Sequence, residues 1–407
     1  MGAEMRASKR ILRFVFAGLF LLSTVELPAA EQPKLSALLI GEVSASVLPG
    51  GGRDSKITAF DLAPDGDLLA VLYSNWSAQT NFKLSVAIWD VRARAVVQNA
   101  QVGVHDVSTS TFSLVDDEVT FTADKKYLIV LGLGKVWILD ASTCAVVRSI
   151  DSPRAELGEP VHFLTADRST LAVTYKQGYN QFNIALFEIP SAKITASWQS
   201  SAFPQSFSPD GNLAVGPDAE GYNQGGVSNL LVMDARTGAK IKSIPVSFGF
   251  KKWRPDGKKG SFTARFVDNE EVVVTPDNMT DHTGHHSGNS MEVVNVREGR
   301  LAREITPKNF GPTGELTVSS DLCYFAVYSH NVSGFAKLSD GLWPDFDKPQ
   351  LMLYSADETK PELVIPGLKA DGAVAHLRNM ILPSLSNNAS VVALAQAGAV
   401  KVFQIKE

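Results

Sequence analysis

The chain has 407 residues, of which 44% are hydrophobic and 20% charged, enough apolar material for a large core. A net charge of −5, with one dense basic cluster (Lys251, Lys252, Arg254, Lys258 and Lys259) that reads as a solvated loop, argues against a nucleic-acid binder. Two cysteines, Cys144 and Cys323, are too few for a disulfide-stapled scaffold.

The first thirty residues carry the pattern of a secretory signal. Arg6, Lys9, Arg10 and Arg13 precede the apolar run Phe14–Leu22, and Leu27-Pro28-Ala29-Ala30 offers small residues for cleavage. That run is too short to span a bilayer as a helix, so residues 1–30 are expected to be removed. An uncleaved anchor is the alternative. The expected location is secreted or periplasmic, with no membrane span after cleavage.

Residues 31–407 read as one domain of repeats. Leu35–Val43 is an isolated strand. The first unit then runs Ile57–Leu62, the turn Ala63-Pro64-Asp65-Gly66, Leu68–Tyr73, a loop, Leu84–Val91 and Ala95–Gln98. In such a turn Pro presets φ, Asp hydrogen-bonds its own backbone and Gly takes positive φ. The second unit has its turn at Ala123–Lys126, the third at Thr165–Arg168, and the fourth at Ser208-Pro209-Asp210-Gly211. The fifth turns at Val267–Glu270 and the sixth at Ser319–Leu322. The seventh has strands at Asn379–Leu382, Ser390–Ala395 and Ala399–Ile405.

The turn acid recurs at Asp65, Asp124, Asp167, Asp210, Asp268 and Asp321. Its shortest spacings match the ~40–45 residues of a four-stranded propeller blade. An acid or amide also closes the third strand of five units (Asp90, Asp140, Glu188, Asp234, Asn295), where capping of a tight turn explains it. The last unit lacks a fourth strand, and Leu35–Val43 is a strand without a unit. The expected fold is all-β: a seven-bladed β-propeller of four-stranded antiparallel blades. The N-terminal strand completes the last blade and closes the ring. Cys144 and Cys323 then fall in different blades and are expected to be lone thiols.

Leu62-Ala-Pro-Asp-Gly-Asp-Leu-Leu-Ala-Val, Phe207-Ser-Pro-Asp-Gly-Asn-Leu-Ala-Val and Ile88-Trp-Asp-Val resemble the WD40 and related bacterial propeller family. The resemblance covers about 370 residues. It departs from the family pattern in lacking the Gly-His pair, and only Trp89-Asp90 keeps the name-giving dipeptide. The resemblance implies a platform for partners, without catalysis.

Second-to-third-strand loops are long in five units: Ser74–Lys83, Lys176–Phe182, Pro217–Ser228, Pro276–Asn289 and Ser329–Pro349. They belong to one face, which makes that face the expected binding surface. Trp76, Phe82, Tyr179, Tyr222, Asn223, His330, Trp343 and Phe346 supply the rings and amides that suit a protein or glycan partner. Asp281-His282-Thr283-Gly284-His285-His286 is the one metal-like constellation, with His282, His285 and His286 as candidate ligands for a divalent transition metal. A solvent-exposed polar loop is the plainer reading. No nucleophile elbow, zinc-protease helix, haem-attachment pair or phosphate loop occurs.

The expectation is therefore a monomeric, non-enzymatic binding scaffold with no required cofactor. The alternative is a periplasmic propeller enzyme or subunit, lactonase-like or similar to the amine-dehydrogenase large subunit. It would need acids and histidines near the central axis, and the sequence displays no such set.

Overall fold

The first repeat shows how the sequence builds its unit. β2 (Lys56–Leu62) and β3 (Leu68–Ala78) are joined by the Pro-Asp-Gly turn, where Gly66 takes φ +75° and its N–H donates to the Ala63 carbonyl at 2.8 Å. β4 (Asn81–Asp90) and β5 (Ala95–Asp106) complete an antiparallel sheet in the order β2-β3-β4-β5. The middle strands are runs of aliphatic residues, Leu69–Leu72 and Val86–Ile88, because both of their faces are buried.

This computed structural model describes residues 35–52, 55–78, 81–106, 117–151, 161–164, 168–178, 181–218, 229–246, 262–276, 291–305, 316–319, 321–338, 341–366, 383–396 and 398–406. All belong to the unit Pro33–Glu407. Five further sheets repeat the first. The second blade is β6 (Glu118–Phe121), β7 (Tyr127–Gly132), β8 (Lys135–Asp140) and β9 (Val146–Asp151). The third is β10 (Val161–Leu164), β11 (Thr170–Gly178), β12 (Gln181–Glu188) and β13 (Lys193–Ser200). The fourth is β14 (Ser206–Phe207), β15 (Leu213–Pro217), β16 (Asn229–Asp234) and β17 (Lys240–Pro245). The fifth is β18 (Phe262–Phe266), β19 (Glu271–Pro276), β20 (Met291–Asn295) and β21 (Arg300–Ile305). The sixth is β22 (Leu316–Val318), β23 (Tyr324–Leu338), β24 (Gly341–Ser355) and β25 (Leu363–Ile365).

The seventh sheet joins the two ends of the chain. β26 (Ser384–Leu385), β27 (Val391–Gln396) and β28 (Ala399–Lys406) are completed by β1 (Ser36–Ser44), which pairs from Ser36↔Lys406 to Ser44↔Ala399. Seven four-stranded antiparallel sheets thus form a closed ring, the architecture that the repeats predict. The innermost strand of the last blade is Ser384–Leu385. The expected strand Asn379–Leu382 lies outside the described residues.

The core lies between blades. At the first junction Leu72, Val86 and Ile88 share a cluster with Phe121, Leu128 and Trp137. At the closing junction Val400 and Val402 share one with Leu62, Tyr73 and Trp89. Full burial of such a side chain contributes about 1.5–3 kcal/mol, so ring closure is driven mainly by these interfaces.

The outer rim is protected against strand addition. A register shift interrupts the outermost pairing in blades one to five, at Ile88/Trp89, Ile138/Leu139, Leu186/Phe187, Val232/Met233 and Val293/Val294. A sixth lies between Leu39 and Gly41 in β1. In the remaining blade the outermost strand has three residues. Bulges and short edge strands both discourage edge-to-edge pairing.

Candidate functional site

Up-and-down strand order sorts the connections between two ends of the ring. The first-to-second and third-to-fourth turns share one end, and the second-to-third hairpins share the other with the inter-blade links.

The short-turn end is built from one recurring motif. Thr122, Ser208 and Ser319 open the first turn of their blades, and each hydroxyl donates to the acid two residues on: Asp124 at 2.7 Å, Asp210 at 2.6 Å and Asp321 at 2.6 Å. Each hydroxyl oxygen also accepts the N–H five residues on, from Tyr127, Leu213 and Tyr324. Ser386 accepts from Val391 in the same way at 2.9 Å. Burial pushes the Asp124 and Asp210 carboxyls up, yet the hydroxyl and backbone donors outweigh it and hold both below the usual value of 3.8. The acids closing the third strands cap their turns as expected: the Asp140 and Asp234 carboxylates accept from Ser142, Thr143 and Thr237, and both are lowered.

Around the axis, a second recurring contact joins one blade to the next. The residue two before the turn opening accepts the N–H of the following blade's innermost strand: Phe121 N donates to Asp61 Oδ2 (2.9 Å), Phe266 N to Ser206 Oγ (3.1 Å) and Leu62 N to Ser384 Oγ (2.8 Å). Asp61 collects more. Ser384 Oγ donates to its Oδ1 at 2.7 Å, and Arg168 Nη1 to its Oδ2 at 2.8 Å. In the fifth blade Gln205 satisfies a strand edge, with Nε2 donating to the Phe262 carbonyl and Oε1 accepting the Ala264 N–H. Arg265 donates to the Gln205 and Ala264 carbonyls. Burial lowers its pKa, partly offset by the Glu118 carboxylate of β6.

The sequence expectation concerned acids and histidines near the axis; the charged groups found there are Asp61, Glu118 and Arg265 on innermost strands and Arg168 in the first turn of the third blade. Asp61, Arg168 and Arg265 hold blades together through the contacts above. Asp61 stands alone within an apolar strand, and nothing in its own repeat marks it. The signal lay in aligning blades, where Asp61, Ser206 and Ser384 share one position.

At the hairpin end, three of the expected loops are continuations of strands. β3 and β4 pair as far as Ala78↔Asn81, and β11 and β12 as far as Gly178↔Gln181. β23 and β24 pair as far as Leu338↔Gly341. The segments Ser74–Lys83, Lys176–Phe182 and Ser329–Pro349 are therefore largely ribbon, not irregular loop. The sixth blade's ribbon is the longest. β22 pairs only with Phe325–Val327 and β25 only with Leu351–Leu353, so beyond these the two strands pair solely with each other among the described residues. Ten residues a side correspond to a length of about 30 Å.

The register places Trp76 opposite Phe82, Ala336 opposite Trp343, and Val332 opposite Phe346. His330 lies at the register shift between Ser329 and Asn331. Tyr179, Tyr222, Asn223, His282, His285 and His286 lie outside the described residues. The ribbons thus bring Trp343, Phe346 and His330 onto one element and Trp76 with Phe82 onto another. Phe182 packs edge-on against Phe203, with ring centroids 5.2 Å apart.

Among the described residues no group of three or more His, Cys, Asp or Glu side chains is arranged to hold a metal. No helix among them is long and apolar enough to cross a membrane. Both cysteines are free, Cys144 buried and Cys323 exposed.

No family model matches the chain, and no curated protein matches it in sequence. Its fold is shared with 723 chains of solved structures, too many for the fold to select an activity. One is a chain from the crystal structure of the mitotic checkpoint complex, 14% identical, with a TM-score of 0.56 over 98% of this chain and 100% of that one. At that identity the likeness establishes the propeller fold alone.

Proposed function

We propose that this protein is a non-enzymatic interaction scaffold, secreted or periplasmic and monomeric, whose hairpin end receives a protein partner. The observation that carries the reading is the asymmetry between the two ends. The short turns spend their polar groups on one another, while the sixth blade extends a two-stranded ribbon that pairs with no other described strand. The ribbon sequence, with Phe335, Trp343 and Phe346 beside Asn331 and His330, has the aromatic and amide character of recognition surfaces. The solved propeller to which the chain is similar comes from a multi-protein complex, which agrees with this reading.

The test is site-specific photocrosslinking in the producing cell, with the photoreactive residue at Phe335 or Trp343 and, as control, at Asn269 in a short turn. Discrete protein adducts from the ribbon positions alone support the proposal. Adducts from Asn269 alone, or from neither end, overturn it. A glycan partner would give lectin-type binding to immobilised oligosaccharides without protein adducts. Amino-terminal sequencing of the mature protein tests export: a start near residue 31 is expected.

A further inference from the structure

Among the described residues, the Pro-Asp-Gly turns at Gly66 and Gly211 occupy equivalent places but have different surroundings. At Gly66, an added Cβ would lie 2.8 Å from Val391 Cγ2 and 3.1 Å from Ser386 Cβ, because the seventh blade is packed tightly against the turn. At Gly211 nothing lies within 4 Å of such an atom. By alignment on the turns, Thr170 of the third blade holds the place of Val391, and no described residue of that blade comes within 4 Å of a Cβ at Gly211. A cleft of ≈ 300 Å³ lies at Gly211, lined by Thr170, Leu186, Ala196, Phe207, Asp210 and Arg236.

Its chemistry is divided. Leu186, Ala196 and Phe207 form an apolar floor and belong to one cluster with Trp198. Arg236 and Asp210, both exposed, supply one charge of each sign at the short turns. The Asp210 carboxyl is held in its charged form by Ser208 and Asn212. The Arg236 guanidinium makes no hydrogen bond or ion pair among the described residues, acting on Asp234 only through space. A carboxylate entering beside Arg236 would meet a cation, while an ammonium group would meet Asp210.

We propose that this wedge between the third and fourth blades binds a small zwitterion with an aliphatic body, the chemistry of a free α-amino acid. The site is separate from the ribbon end and does not depend on the function proposed for it. Arg236 and Asp210 supply a partner for each charged end of the ligand, and the apolar floor of Leu186, Ala196 and Phe207 a surface for its side chain.

The experiment is calorimetric titration of the purified protein with L-leucine, with 4-methylpentanoate (no ammonium) and with leucinamide (no carboxylate). Saturable one-to-one binding of leucine is expected, with each singly charged analogue at least about tenfold weaker. Arg236→Ala, an exposed change, should weaken leucine by at least about tenfold. Ala196→Leu, which fills the floor, should abolish binding while leaving the circular dichroism spectrum unchanged; should it unfold the chain, Arg236→Ala alone decides. No titratable heat from leucine, equal binding of either analogue, or parent-like binding by Arg236→Ala would overturn the proposal.

Discussion

Arg168 Nη1 lies 2.8 Å from Asp61 Oδ2, which ties the first turn of the third blade to the innermost strand of the first. Both side chains are largely buried, 12% and 9% exposed. Asp61 also accepts from Ser384 of the seventh blade and Phe121 of the second, so one carboxylate links four blades. Removing it takes their acceptor from a backbone N–H and a hydroxyl and leaves the Arg168 guanidinium only the Leu62 carbonyl at 3.4 Å. Asp61→Ala is expected to cost about 3 kcal/mol, within the range for breaking a buried pair. Urea unfolding measures it, and a loss below about 1 kcal/mol would mean that water replaces the carboxylate.

Gly238→Ala tests a contact between neighbouring blades. Gly238 has φ +70°, and a Cβ there would lie 1.5 Å from Trp198 Cδ1, so the ring must move. Gly398 has φ +75° with nothing within 4 Å. Gly398→Ala should cost only the conformational strain, about 1 kcal/mol, and Gly238→Ala at least about 1 kcal/mol more, with altered tryptophan emission. Equal costs would show that Trp198 repacks freely.

Stability should fall in acid through the turn carboxylates. The folded values of Asp65, Asp124, Asp210 and Asp234 lie below 3.8, so their contribution is fully present above the unfolded value and is lost as pH falls through the folded ones. Denaturation midpoints are expected to be flat above pH ~5 and to drop steeply below ~4. Asp210→Asn should shallow that drop. An unchanged acid limb in this variant would assign it to other groups.

The thiols should separate by reactivity. Burial pushes Cys144 up to about 11, with the Asp140 charge adding to it, whereas Cys323 is exposed. At pH 8 a disulfide reagent should titrate one thiol in the folded protein and both in guanidinium. Rapid reaction of two thiols in the native state would contradict the burial of Cys144.

The architecture was legible because each blade repeats a local instruction, a turn such as Ser208-Pro209-Asp210-Gly211 between two apolar strands. The closing strand Leu35–Val43 was legible as a strand lacking a unit. The ribbon was not: Pro344 and Pro349 and the register shifts around His330 erase the period-two pattern by which a strand is recognised. The Asp61 hub was hidden for a different reason. Its partners lie 60 to 323 residues away, and no local spacing encodes a contact made across the ring. The wedge beside Gly211 depends on what a neighbouring blade leaves empty, which a single repeat does not record.

Because Ser36 pairs with Lys406, the first and last strands lie side by side, and the ring has no structural beginning. A short peptide joining these residues should allow the chain to be reopened at a different inter-blade link, yielding a circular permutant with the same seven sheets. β1 runs away from the short-turn end and β28 towards it, so a cargo fused after Lys406 would hang from the side opposite the ribbons. The molecule could then be immobilised or labelled by its tail with the hairpin end left clear.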